Sequence, residues 1–346
     1  MTETAADRME LPASAAPEPS RRWVPWMLAA GALVAIAAVW VRLPALGVSL
    51  WWDEAYSARQ FIPYGPTKII DPLYYLPNNH ILFNLLAWAT TAVVGTTEAI
   101  LRFWSVVPAL AAGGVIGWWG WRRHGPVAGV AAALIILSSP VHLGLSVQAR
   151  GYGLGFLAAA VMLVGAIEME EGGGWLAAGA LAAGGLIGIW TLPQMAFVFA
   201  GHSLAVLIWG RKRWRTVITA GLVALGALVV YWILLPNLMG QVGRVGSRAA
   251  DRLVPLGLVT APSELLFGPT LSGWGLPIGW PPVVFSILLV GLSVLAYLRL
   301  RSLGERAEVH QLFVPWVVTA AALVILGSSV LDRYISYMVV PMALVV

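Results

Sequence analysis

Uncharged apolar stretches recur along nearly the whole chain, separated by short polar junctions. A transmembrane helix needs about 20 predominantly apolar residues to cross roughly 30 Å of hydrocarbon. By that measure the runs Trp23–Val41, Phe103–Trp121, Val127–Ala149 and Gly151–Ile167 each predict one span, the third broken near its far end by Ser138-Ser139-Pro140. Gly172–Gly210 holds 39 residues without a charge, about 58 Å as helix. That predicts two spans, turning near Thr191-Leu192-Pro193. Thr216 to Pro236, Pro281 to Leu298 and Gln311 to Leu331 bring the expected total to nine. A tenth begins at Tyr334 but runs only 13 residues to Val346. A terminus inside hydrocarbon leaves its last carbonyls and its carboxylate without partners. The natural chain is therefore expected to continue past Val346, the alternative being a short half-helix buried in protein. The pattern predicts an all-α fold, a polytopic transmembrane helical bundle.

Residues 1–22 are polar, rich in Ala, Pro and Ser, and end in Arg21-Arg22. They read as a disordered cytoplasmic tail, which leaves 23–346 as one transmembrane domain. The first span is too long for a signal peptide and has no small-residue cleavage site before Arg42, so it reads as an uncleaved anchor.

Composition narrows the class. Hydrophobic residues make up 59% of the chain and charged residues 11%, against roughly 25% charged in an average globular domain. Mean hydropathy is +0.81. Such a chain has too few polar side chains to cover a surface in water, and it is not a disordered chain. With no cysteine, disulfides, thiolate catalysis and Cys-ligated metals are excluded. A net charge of +5 in a soluble protein would suggest nucleic acid. Here the basic residues cluster between spans, where they set topology, so no nucleic-acid partner is expected.

Charge also settles an ambiguous segment. Ile81–Gly95 is apolar enough to resemble a span. If it crossed, Arg122-Arg123, Arg211-Lys212-Arg213-Trp214-Arg215 and Arg299 with Arg301 would all face the side opposite Arg21-Arg22. If it lies along the outer surface, all four clusters are cytoplasmic, as the positive-inside rule requires. It is therefore expected to be an interfacial helix. Two long outer segments result, 42–102 and 237–280, and the first carries interfacial helices. Long non-spanning segments on one face are where specific chemistry is expected. Trp51, Trp52, Trp274 and Trp280 fit an aromatic belt there, and most glycines lie inside spans as small-residue helix contacts.

Three outer features carry candidate chemistry. Adjacent Asp53-Glu54, in Leu50-Trp51-Trp52-Asp53-Glu54-Ala55-Tyr56-Ser57, follow the first span. Two carboxylates among aromatic rings at a membrane surface are costly to desolvate and suit a general base. Equally, they suit a solvated helix N-terminus, complementing its dipole. Asn78-Asn79-His80 precede the interfacial helix. An Asn there can cap it, whereas His80 can orient a carboxylate, bind a sugar or bind a metal. Arg150, in Ser146-Val147-Gln148-Ala149-Arg150-Gly151-Tyr152, stands on the wrong side for a topology signal and suits bidentate contact with phosphate. Asp332-Arg333-Tyr334 offers a second outer arginine or a local ion pair. Arg244, Arg248, Asp251 and Arg252 suit lipid headgroups.

Taken in order, these motifs, with Glu98-Ala99-Ile100-Leu101-Arg102 and Arg122-Arg123-His124-Gly125, resemble the GT-C superfamily of polytopic membrane glycosyltransferases. The resemblance is strongest to the group related to dolichyl-phosphate-mannose–protein mannosyltransferases (glycosyltransferase family 39-like). The pattern covers residues 23 to about 170. Later spans match only in hydropathy and in Asp332-Arg333-Tyr334. The resemblance implies a plasma-membrane enzyme with a cytoplasmic N-terminus and an extracytoplasmic site. Its donor would be a polyprenyl-phosphate-linked sugar and its acceptor a protein, lipid or glycan. By the same resemblance Asp53 is the catalytic base, and Glu54 positions the acceptor or supports the first loop. His80 with Asn79 occupies the place of the family's His-Pro-Pro, with Ile81 and Leu82 replacing the prolines. Arg150, beside Tyr152, lies near the donor phosphate, and Arg333 matches the late Arg-Tyr element. Glu54 and His80 are two potential ligands of a divalent cation, too few to define a site. A transporter or flippase of lipid-linked sugars is the main alternative, although it would usually show internal repeats and charges near the midplane. A non-catalytic scaffold would need neither the acid pair nor the outer arginines.

Overall fold

The computed structural model describes residues 23–71, 79–234, 298, 302, 304 and 306–325. The tail 1–22, the segment 237–280, most of the span expected from Pro281, the stretch from Tyr334 and Arg333 lie outside the described residues. Among the described residues every regular element is a helix. In chain order these are α1 (Val24–Trp40), α2 (Leu43–Leu46), α3 (Trp52–Gln60), a 3₁₀ turn (Ile62–Tyr64), α4 (Pro66–Ile69), α5 (Ile81–Val94) and α6 (Glu98–His124). Then follow α7 (Pro126–Ser138), α8 (Pro140–Ser146), α9 (Tyr152–Glu170), α10 (Trp175–Thr191), α11 (Met195–Trp209), α12 (Arg213–Tyr231) and α13 (Arg306–Ile325).

Four stretches are long and apolar enough to cross a membrane: Val24–Leu46, Glu98–His124, Tyr152–Glu170 and Arg213–Tyr231. The pair α7–α8, bent by 61°, makes a fifth if it is one span. The bend falls where Pro140 cannot donate to the preceding turn and Ser139 turns extended, at ψ 127°. The expected pair of spans in 172–210 is two helices, of 17 and 15 residues, with the turn at Leu192–Gln194. Large apolar side chains such as Leu33, Leu176, Leu222 and Val229 stand exposed around the bundle. Such a surface is compatible with an integral membrane protein and costly in water.

The core is built around α9, which packs against α6, α8, α10, α11 and α13. Small residues let the backbones approach: a Cβ on Gly129 would lie 2.5 Å from the Gly117 carbonyl across the α6–α7 seam, and one on Gly184 would lie 2.8 Å from the Ala158 carbonyl across α9–α10. Because α6, α7, α9, α10, α11 and α12 alternate in direction through short turns, the bundle has two ends. One gathers Asp53, His80, Arg102 and Arg150. The other gathers Arg122-Arg123 and the turns at 171–174 and 210–212. Helix α5 has only 14 residues. It starts beside His80 and hands over after three residues to the Glu98 end of α6, so both its ends lie at the first end of the bundle.

Two polar braces tie the bundle together. At the second end, Glu170 accepts from Gln311 at 2.8 Å and meets His310 at 2.5 Å, while His202 contacts Gln311 at 2.8 Å. There Arg123 donates to Glu171 at 2.7 Å and pairs with Glu308 at 2.7 Å. The other brace is Arg42, buried between α1 and the α7–α8 bend. It donates to the Ala38 carbonyl at 2.7 Å, to Ser146 Oγ at 2.8 Å and, at 3.1 Å, to the Leu137 carbonyl that the bend strips of its helical partner.

Candidate active site

Helix α3 begins with the two acids in its first turn, where carboxylates complement the dipole. To that extent the helix-terminus reading holds. Its solvated character does not: Asp53 is 8% and Glu54 3% exposed, while neighbouring Trp51 and Trp52 are 57% and 73% exposed. Burial obliges each carboxylate to find a cation or several donors, and the two find different ones.

Glu54 is saturated. It accepts from the Trp51 amide at 2.9 Å, as an N3 glutamate reaching back to the helix start does. It receives both arms of the Arg102 fork at 3.1 and 3.2 Å, and the Ala149 amide at 2.5 Å. Arg102, 3% exposed, also donates to the carbonyls of Leu46 and Val48 at 3.1 and 2.6 Å. Glu54 and Arg102 therefore bind the start of α3, the α2 loop, α6 and the 147–151 turn into one unit. Of the two roles open to Glu54, this geometry matches support of the first loop.

Asp53 meets Arg150, whose Nη1 lies 2.5 Å from Oδ2. The other edge of the same guanidinium faces His80 Nε2, at 3.1 Å from Nε and 2.6 Å from Nη2. Arginine only donates, so Nε2 accepts and the imidazole is neutral with its proton on Nδ1. The Tyr152 ring lies 5.4 Å from the guanidinium carbon and 5.4 Å from the His80 ring. Asp53, His80 and Arg150 are 97 and 70 residues apart in sequence across this contact. All are buried, and the Asp53 side chain, at 11%, is more exposed than that of Arg150, at 3%.

The backbone is held as tightly. Ser105 Oγ donates to the Arg150 carbonyl and accepts from its amide, the latter at 3.2 Å. Gly153 brings α9 so close to Ser105 that a Cβ would overlap the Ser105 carbonyl, and at Gly151 a Cβ would overlap the Thr191 methyl. Asn79 does not cap α5; His80 occupies the cap position. The Asn79 amide instead donates to the Ile69 carbonyl at 2.7 Å and accepts from Asn84 at 2.8 Å, fixing the chain just before His80.

The structure thus brings together Asp53, Glu54, Asn79, His80, Arg150 and Tyr152 around one junction. Ser105 and the supporting Arg42 were not among the residues singled out from sequence, and Arg102 stood there only as the end of the Glu98–Arg102 motif, with no role given to it. Arg42 and Arg102 carried the same signal as Arg150, being arginines at the end away from the basic clusters. As for metal ligation, Glu54 is committed to Arg102 and two backbone amides, and His80 Nε2 to Arg150; among the described residues no cluster of three metal-ligating side chains occurs. An apolar groove of about 720 Å³ between α1, α6 and α7, walled by Met27, Leu110, Trp118 and Leu137, shares no residue with this junction.

No protein-family model matches the chain, and neither a curated protein nor a solved structure matches it significantly. The functional reading rests on the residues of the junction.

Proposed function

We propose that this chain is an inverting membrane glycosyltransferase that moves a sugar from a polyprenyl-phosphate donor to an acceptor hydroxyl at the membrane surface. The observation that carries the reading is the convergence of a carboxylate, an imidazole and a guanidinium from three distant segments, Asp53, His80 and Arg150. They stand at the end of the bundle opposite Arg122-Arg123 and the 211–215 cluster, the extracytoplasmic end by the positive-inside rule. Exposed Trp51 and Trp52 flank them as membrane-surface anchors.

The chemistry follows from what each group can do. The acceptor oxygen attacks the anomeric carbon while Asp53 takes its proton. The bond from that carbon to the phosphate oxygen breaks, and its electron pair leaves on the phosphate. Negative charge develops there, where a fixed guanidinium such as Arg150 stabilises it. One displacement inverts the anomeric centre. Glu54 and Arg102 hold the loop that presents Asp53; Asn79 and Tyr152 fix His80 and Arg150.

The test is transfer by the purified full chain in nanodiscs supplied with polyprenyl-phosphate hexoses and pentoses, followed by release of the prenyl phosphate. Release that needs both acceptor and Asp53 is expected. Undiminished release by a well-folded Asp53→Asn protein overturns the assignment of the base, and no release by the wild type from any donor overturns the reaction class.

A further inference from the structure

The junction pairs two groups to which the proposed reaction gives different partners. An Asp53 lone pair engaged by the Arg150 Nη1–H cannot at the same moment receive a hydroxyl proton, and that N–H, engaged by Asp53, cannot hold a phosphate oxygen. Resting on the glycosyltransferase reading, we infer that the donor phosphate and the Asp53 carboxylate compete for the same edge of Arg150, so that arrival of the donor is what releases the base.

Three observations support an exchange rather than a simple addition. First, Arg150 is gripped on its two edges by unlike partners. His80 takes Nε and Nη2, and Asp53 takes Nη1. A phosphate can replace Asp53 while His80 keeps the guanidinium in place. Second, the backbone of Arg150 is held by Ser105 through both its amide and its carbonyl, and the Tyr152 ring lies 5.4 Å from the charge. Arg150 is the fixed member of the pair. Third, Asp53 sits one residue into α3 with the more exposed side chain of the two. Of the two, Asp53 is the shorter and more exposed side chain, the one that a rotamer change moves aside.

Charge stays balanced through the exchange. Arg150 passes from one anion to another, and the displaced carboxylate keeps its charge until it takes the acceptor proton. Transfer then leaves a protonated Asp53 and a prenyl phosphate carrying one more negative charge. That product grips Arg150 more strongly than the donor did. Its departure restores the Asp53–Arg150 pair once the proton is lost to water. Donor before acceptor is the binding order that results.

The experiment is equilibrium binding of farnesyl phosphate, a short prenyl phosphate, to the full chain in nanodiscs, with farnesol as the control for the tail. Wild type, Asp53→Asn, Asp53→Ala and Arg150→Ala are compared, each checked by its melting profile. Removing the competing carboxylate is expected to tighten farnesyl phosphate about tenfold, the worth of one charge-assisted hydrogen bond, with Asp53→Ala at least as tight as Asp53→Asn. Arg150→Ala is expected to reduce binding to that of farnesol. Wild-type binding that neither Asp53 variant tightens overturns the exchange and leaves the donor class standing. Wild-type binding no better than that of farnesol, in a folded protein, overturns the donor class and the exchange with it.

Discussion

The chain has two adjacent acid pairs that look alike in sequence, Asp53-Glu54 and Glu170-Glu171, and they end in different surroundings. At the second, Glu170 is buried and held by His310 and Gln311, both from α13, while Glu171 lies 36% exposed against Arg123. Every partner there sits on a helix end, and the arrangement joins α6, α9 and α13. At the first pair, Glu54 does comparable joining through Arg102, but Asp53 meets a guanidinium whose other edge rests on a histidine. What separates the pairs is the partner. A carboxylate saturated by backbone amides and a bidentate arginine is a fastener; the one shared with a multi-partner arginine, on the more open side of the contact, is the one our proposal gives the chemistry.

That contrast breaks first at catalysis. Asp53→Asn is expected to lower sugar transfer by about 10²–10⁴-fold in protein that is still folded, on top of the stability lost by leaving buried Arg150 without its carboxylate, whereas Glu170→Gln leaves transfer near wild type. Equal losses in the two variants would erase the distinction. Next in size is the fastener. Arg102→Ala strands the buried Glu54 charge and is expected to cost about 3–5 kcal/mol, read as a lower unfolding transition of the protein in detergent. A smaller shift follows from overpacking: Gly153→Ala forces α9 away from Ser105, at about 1–3 kcal/mol, and transfer falls too because Ser105 anchors Arg150. The smallest effect belongs to the rim of the second pair. Glu171→Gln removes a half-exposed ion pair and is expected to shift stability by less than about 1 kcal/mol; a loss as large as that of Arg102→Ala would make the two ends equivalent.

Much of this was legible in the chain. Hydropathy located α1, α6, α9 and α12, and Ser138-Ser139-Pro140 marked the bend between α7 and α8. Counting where the arginines fall removed α5 from the spans, in line with both its ends lying at one end of the bundle. The oddity of an arginine at 150 drew attention to the turn that meets Asp53 and His80. What sequence did not show was who meets whom. Nothing in the order of residues says that Glu54 takes Arg102 while its neighbour Asp53 takes Arg150, because neighbours on a helix point about 100° apart and only the fold fixes which arginine each direction meets. The use of Asn79 was also hidden. A cap is the local reading of an Asn before a helix, and here contacts with Ile69 and Asn84 win instead. Arg42 and Arg102 were visible as outlying charges, but their burial depends on carbonyls freed at a bend and a loop, which only the fold exposes.

Gly151 lies directly after Arg150, with no room for a side chain because the tip of α10 leans against it at Thr191. That contact sets the end of α10 against the turn that carries Arg150. A side chain at residue 151 would have to push the tip of α10 away. The turn that carries Arg150 is thus seated against a helix that contributes no charge to the junction.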